Sequence, residues 1–340
     1  MTGDYLWDRS GPVDLEIVRL ERLLGTLKQR NPPAPMRLPV VDVSHQPPVS
    51  FLMAVAAAAA IVVSLVGLTW VHRLDAGPGF EVTRVSGAPT VASKAVDDRA
   101  QLKVGSWLET REDGRATIQV ANIGQIQVEP DTRLGLVRTK PGEHRLRLER
   151  GTLHAFIWSP PGQFFVETPS STAVDLGCAY TMTVDGEGVG TVRVTSGWVG
   201  FEWRGQEAFI PAGASCVTRP GLGPGTPHYE DTSDGFRAAL VMIDMQGASA
   251  EGRAGAITRV LAEARERDTL TLWHLLTRVD QDQRDRVFDK LAQFVPPPAG
   301  VTRDGIRAGR REMLDAWWDT LGLGTTNWWR VWKQPWREGK

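Results

Sequence analysis

Between about Phe80 and Thr232 apolar and polar residues alternate. Leu102 and Val104 form one alternating pair, followed by Ile118 and Val120, Ile126 and Val128, Leu146 and Leu148, and Val192 and Val194. Polar residues such as Gln119, Gln127, Arg145, Arg147 and Arg193 fall between them. A period of two predicts strands with one buried and one wet face. Asp113-Gly114, Ile123-Gly124, Pro141-Gly142, Arg150-Gly151, Pro161-Gly162 and the Asp185–Gly190 cluster punctuate the pattern as turns. Such spacing predicts about ten or more short strands, an all-β element over residues 80–232.

Past this element the period lengthens. Ile257, Val260, Leu261 and Ala264 share one helical face, as do Leu272, Leu275, Leu276 and Val279, then Val287, Leu291, Phe294 and Val295. This predicts three or four short helices over residues 233–295, one restarting at Asp280 as a cap. Pro296-Pro297-Pro298 closes the set, and Arg303–Leu321 is predicted as one more amphipathic helix within a C-terminal segment of residues 296–340.

The N-terminal part has two other patterns. Val13, Ile17, Leu20, Leu24 and Leu27 recur at 4, 3, 4, 3 spacing and predict one apolar seam on a helix within residues 1–30. Such a helix alone is marginal in water. Its cover is another copy, another protein, the membrane surface, or Tyr5, Leu6 and Trp7 of its own segment. Residues 31–48 hold six prolines and read as an extended linker. From Val43 to His72 there is no formal charge. Phe51–Val71 would reach about 31 Å as a helix, the thickness of a hydrocarbon core, and with its flanks predicts a transmembrane helix over residues 49–72. Trp70 and Arg73 at one end suit the headgroup level. Lys/Arg counts within twenty residues are equal on the two sides, so charge leaves the orientation open.

Composition sharpens this partition. A net charge of −1 over 340 residues excludes a polybasic nucleic-acid binder and an acidic disordered chain. Two cysteines exclude a disulfide-dense scaffold and a four-cysteine zinc site. Thirteen tryptophans stand against three tyrosines, and six of them (Trp317, Trp318, Trp328, Trp329, Trp332 and Trp336) lie in the last 24 residues, interleaved with Arg330, Lys333, Arg337 and Lys340. Tryptophan with cations suits a membrane interface, a glycan or a protein partner. The other reading is that the indoles pack back over the helices or the β element as a clasp.

The run GSWLETREDGRATIQVANIGQIQVEPDTRL (105–134) resembles the first half of the FecR domain. LERGTLHAFIWSPPGQFFVETPSSTAVDLGCAYTMTV (148–184), then VRVTSGWVGFEW and IPAGASC, resemble the second half. The resemblance implies an all-β, solenoid- or roll-like domain, held by one transmembrane helix, in a chain that is mainly β with a helical C-terminal part. It also implies an orientation, with the N-terminus in the cytoplasm and residues 75–340 in the periplasm. In that oxidising compartment Cys178 and Cys216 become a candidate disulfide, two buried thiols being the other reading.

Patterns that carry chemistry are sparse. The six histidines make no pair at ligand spacing, so no metal or other cofactor is expected. Gly186–Gly190 and Gly221–Gly225 are glycine-rich without a strand–loop–helix phosphate cradle. Asp280, Asp282 and Asp285 are spaced like part of a calcium loop, yet Arg284 occupies a ligand position. Glu167 and Asp175 are carboxylates that no pattern brings together. An enzyme is not expected. The expected function is a single-pass inner-membrane protein that senses or docks a protein partner in the periplasm and relays this to a cytoplasmic regulator of the sigma-factor type. The candidate cytoplasmic contact is the seam Val13, Ile17, Leu20, Leu24 and Leu27, and the candidate C-terminal cluster is Trp328, Trp329, Trp332 and Trp336. The alternative is a non-signalling envelope scaffold or glycan/protein-binding module.

Overall fold

The structure, a computed structural model, describes residues 15–25 and 79–325 of the chain. It divides into one compact unit over residues 1–63 and another over 64–340. In the first, the described residues form one helix, α1 (Leu15–Gly25), on which Leu20 and Leu24 are 57% and 61% exposed. Val13 and Leu27 and the side chain of Ile17 lie outside the described residues, as does the predicted span 49–72. Among the described residues no helix is long and apolar enough to cross a membrane.

In the second unit eighteen strands run from Phe80 to Tyr229. They are β1 (Phe80–Ser86), β2 (Thr90–Val91), β3 (Lys94–Ala95), β4 (Arg99–Leu102), β5 (Trp107–Glu109), β6 (Arg115–Val120), β7 (Gly124–Val128), β8 (Arg133–Lys140) and β9 (Glu143–Ile157). The second nine are β10 (Phe164–Glu167), β11 (Thr172–Asp175), β12 (Ala179–Val184), β13 (Gly190–Ser196), β14 (Trp198–Trp203), β15 (Gln206–Pro211), β16 (Ala214–Arg219), β17 (Gly223–Pro224) and β18 (His228–Tyr229). Hydrogen bonding orders them in two halves. One runs β4-β1-β6-β7-β9-β12-β13-β16, with β17 and β18 on β16. The other runs β3-β2-β5-β8-β9-β10-β11-β14-β15.

The halves share β9. Its first part pairs with β8 and β10, and from Gly151 onward it pairs with β7 and β12. Arg150-Gly151, expected as a turn between strands, is therefore a bend inside one strand. Gly151 permits it: its φ is +96°, and a Cβ there would meet Thr132 Oγ1 at 2.2 Å.

Alternation works as predicted. On β9, Leu146 and Leu148 face the core while Arg145 and Arg147 face out and pair with Glu167 at 3.3 and 2.7 Å. Inward residues of both halves, among them Ile118, Ile126, Leu134, Leu148, Leu153 and Phe164, enter one hydrophobic cluster. At about 25 cal/mol per Å² of apolar area, this burial is the main force holding the strands.

Helices follow: α2 (Asp234–Asp244), α3 (Ala250–Glu263), α4 (Thr269–Leu275), α5 (Gln281–Phe294), α6 (Arg303–Arg307) and α7 (Arg311–Trp318). Asp280 does cap α5, its Oδ1 accepting from the Gln283 N–H at 3.0 Å. The expected single helix over Arg303–Leu321 is instead two. Thr302 caps α6, and the chain breaks at Gly309, whose φ is +65°.

Candidate functional site

Strand β15 ends its half of the sheet, and such an edge presents unpaired backbone groups. The turn from β14 places Arg204 and Gly205 at φ +47° and +82°, the two-residue hairpin geometry in which alternate residues of β15 turn their N–H and C=O groups outward. Helix α4 and the residues after it cover those groups with side chains. His274 Nε2 accepts from the Phe209 N–H at 3.1 Å, and its Nδ1 bonds the Leu270 carbonyl at 2.8 Å. Nδ1 must carry the proton and Nε2 the lone pair, so the buried imidazole is neutral. Burial, with Arg278 nearby, pushes its pKa down to about 3. Arg278 donates from Nη1 to the Pro224 carbonyl at 2.8 Å and from Nη2 to the Glu207 carbonyl at 3.1 Å. Desolvation lowers its pKa too.

Aromatic rings complete the clasp. Trp318, fully buried, meets Trp273 at 4.7 Å between centroids, Phe209 at 5.9 Å and Trp198 at 6.0 Å. Trp317 packs on Phe288 at 4.8 Å, and its Nε1–H donates to the Val295 carbonyl at 3.1 Å. These two tryptophans follow the packing-back reading of the C-terminal cluster. Trp328, Trp329, Trp332 and Trp336 lie outside the described residues.

Beside the clasp lies a half-open cleft of about 610 Å³, walled by β15–β17 on one side and by α2, α4 and the start of α5 and α7 on the other. Five arginines line it (Arg204, Arg219, Arg278, Arg284 and Arg311) against three carboxylates, Glu207, Asp244 and Asp315. Asp244 is committed to the fold, accepting from the Thr226 N–H at 2.6 Å and its hydroxyl at 2.7 Å. Arg311 pairs with Glu207 at 2.9 Å. Sequence reasoning missed this cleft. Its residues come from segments spread over more than a hundred positions, and no local spacing signals their convergence.

The expected disulfide is not formed: Cys178 and Cys216 are free, buried thiols. In register, Ala179 faces Ser196 and Cys216 faces Val192 on β13, with β13 itself between β12 and β16. The cysteines are thus two strands apart, about 10 Å, and about 13 Å offset along the strands, beyond the roughly 7 Å Cα separation a disulfide tolerates. Each thiol has its own acceptor: Asp175 Oδ2 at 2.8 Å for Cys178, and the Gly225 carbonyl at 3.2 Å for Cys216. Burial pushes the Cys216 thiol up to about 12.

Asp175 is 2% exposed. Burial raises its pKa to about 7, although Cys178 and the Gly177 N–H both donate to it. Glu167 does not join it. It faces Thr172 across β10–β11, three residues from the position opposite Asp175 and on the other face of the sheet. Asp282 and Asp285 lie in the first turns of α5, where Asp285 pairs with Arg303 and Arg307. Among the described residues no group of three or more His, Cys, Asp or Glu is placed to hold a metal ion.

With the strands and their register in place, comparison with known families is decisive for the β part. Residues 106–200 match the family model described as FecR protein. Residues 106–200 of the chain form a FecR domain. The match begins beside β5 and ends within β14, so the edge strand β15 and the helices that clasp it lie beyond the matched residues of the FecR domain. Among solved structures, a "putative anti-sigma factor" from Parabacteroides distasonis, represented by two crystal structures, is similar at 13% identity and a TM-score of 0.33. That likeness covers 40% of this chain and 64% of the other, so the chain spans less than two thirds of that protein's length. No curated protein matched the chain.

Proposed function

We propose that this chain is a membrane-anchored regulator whose FecR domain docks a protein partner in the periplasm, while the N-terminal helix contacts a cytoplasmic regulator of the sigma-factor type. One observation carries the reading, the order of parts along one chain. A short amphipathic helix with exposed Leu20 and Leu24 comes first, then an uncharged stretch of membrane-spanning length, then the FecR domain. An apolar seam left in water favours a partner by the area it would bury.

Two measurements on the full chain in membranes test it. A cysteine placed at the exposed Glu187 should react with an impermeant maleimide added outside intact spheroplasts, and labelling only after lysis would overturn the orientation. Photo-crosslinkers at residues 20 and 24 should capture a sigma factor, and Leu20→Asp with Leu24→Asp should abolish that capture. If the crosslinked proteins include no sigma factor, or the double variant retains it, the relay fails and the envelope-scaffold reading stands.

A further inference from the structure

We infer that the cleft between β15–β17 and the helices binds a small multivalent oxyanion, with Arg219 and Arg204 as the groups that reach it. The inference is independent of the relay proposed above. Two positive charges in excess line a concavity of about 610 Å³, within the range of small-molecule sites. The imbalance is sharper than the count. Arg278, its side chain 5% exposed, spends both terminal nitrogens on neutral carbonyls, and its closest carboxylate oxygen, on Asp244, is 3.9 Å away. Arg284 likewise donates to the carbonyls of Arg307 and Val279 and makes no ion pair among the described residues. A neutral acceptor orients a guanidinium without cancelling its charge, so two poorly compensated cations sit in the wall.

At the rim, Arg219 is half-buried and Arg204 stacks on the Trp203 ring at 4.4 Å. Neither makes an ion pair among the described residues, and both line the cleft. Guanidinium forks match phosphate and carboxylate oxygens in pairs. The cleft volume exceeds what a single small oxyanion fills, which points to a ligand with two or more charged groups. A ligand held from both walls would also stabilise the clasp, by an amount that grows with its saturation of the site.

The test uses the full-length chain in detergent, with inorganic pyrophosphate and citrate as the phosphate and carboxylate probes and potassium chloride at matched ionic strength as the control. Thermal unfolding and tryptophan emission (Trp273 lines the cleft) are followed. At least one probe should raise the melting temperature saturably above the salt control, and the probe that does so identifies the ligand chemistry. Arg219→Gln should weaken its binding about ten-fold and Arg204→Gln with Arg219→Gln further, whereas Arg193→Gln, on β13 outside the cleft, should leave it unchanged. The inference is overturned if neither probe exceeds potassium chloride, or if the affinity survives in both the single and the double variant.

Discussion

The FecR strands and the C-terminal helices each bury a titratable group whose neutral form burial favours, and the two neutral forms have opposite protonation. Asp175, at the end of β11, receives a thiol and an amide proton and is still driven toward the protonated acid, with a pKa of about 7. His274, on α4, has one nitrogen donating and one accepting, and is held deprotonated with a pKa of about 3. The same desolvation acts on both, and the sign differs because one acid is neutral when protonated and the other when not. The histidine is the better matched group: both nitrogens have partners, so its burial closes a sheet edge. The carboxyl lies beside the Tyr180 hydroxyl, which is buried and makes no hydrogen bond among the described residues.

The largest break in this comparison is removal of the clasp itself. Trp318→Ala should lower stability by about 3–5 kcal/mol, as for other buried tryptophans. Urea unfolding of the variant should show the helices losing protection from hydrogen exchange before the strands around β9. Simultaneous loss in both regions would show that they fold as one unit.

A smaller effect tests the opposed protonation. Unfolded, His274 titrates near 6.5 and folded near 3, so its contribution is full above pH 6.5 and is lost as pH falls through that window. Asp175 titrates near 3.8 unfolded and near 7 folded, so the folded state holds the extra proton and stability falls as pH rises from 3.8 to 7. Between pH 4 and 6.5 the two slopes oppose each other. Asp175→Asn should remove one, raising stability at pH 8 by about 2–4 kcal/mol and leaving a protein that weakens toward acid. His228 and His144, also buried with lowered pKa values, add to that acid weakening. His274→Gln should shift the balance the other way, toward greater relative stability in acid. Denaturation midpoints from pH 4 to 8 check both, and parallel profiles for the two variants would contradict the assignment.

The smallest expected change is local to the helices. Asp280→Ala removes the acceptor for the Gln283 N–H and should cost about 1 kcal/mol, measured by chemical denaturation. An equal loss in the strands around β9 by hydrogen exchange would again argue against two separable regions.

Strand identity, the Asp280 cap and the FecR resemblance were legible because each rests on neighbours a few residues apart. Period-two alternation gives Leu146, Leu148, Arg145 and Arg147 their faces wherever the strand lies. The same local view misled at Arg150-Gly151, where glycine bends a strand, and at Gly309, where it divides a helix. It also offered a disulfide from two cysteines on strands, because sequence separation says nothing about the strand that comes to lie between them.

The amino-acid sequence by itself determined which segments are strands, which are helices, and that residues 106–200 fold as a FecR domain, since periodicity and turn chemistry are short-range properties of the chain. Tertiary structure alone decided the rest: that His274 and Arg278 satisfy the backbone of β15, that Asp175 is paired with Cys178, and that five arginines meet in one cleft. Those depend on register and on which edge the helices cover. Burial and electrostatic coupling act through space, between residues up to about a hundred positions apart.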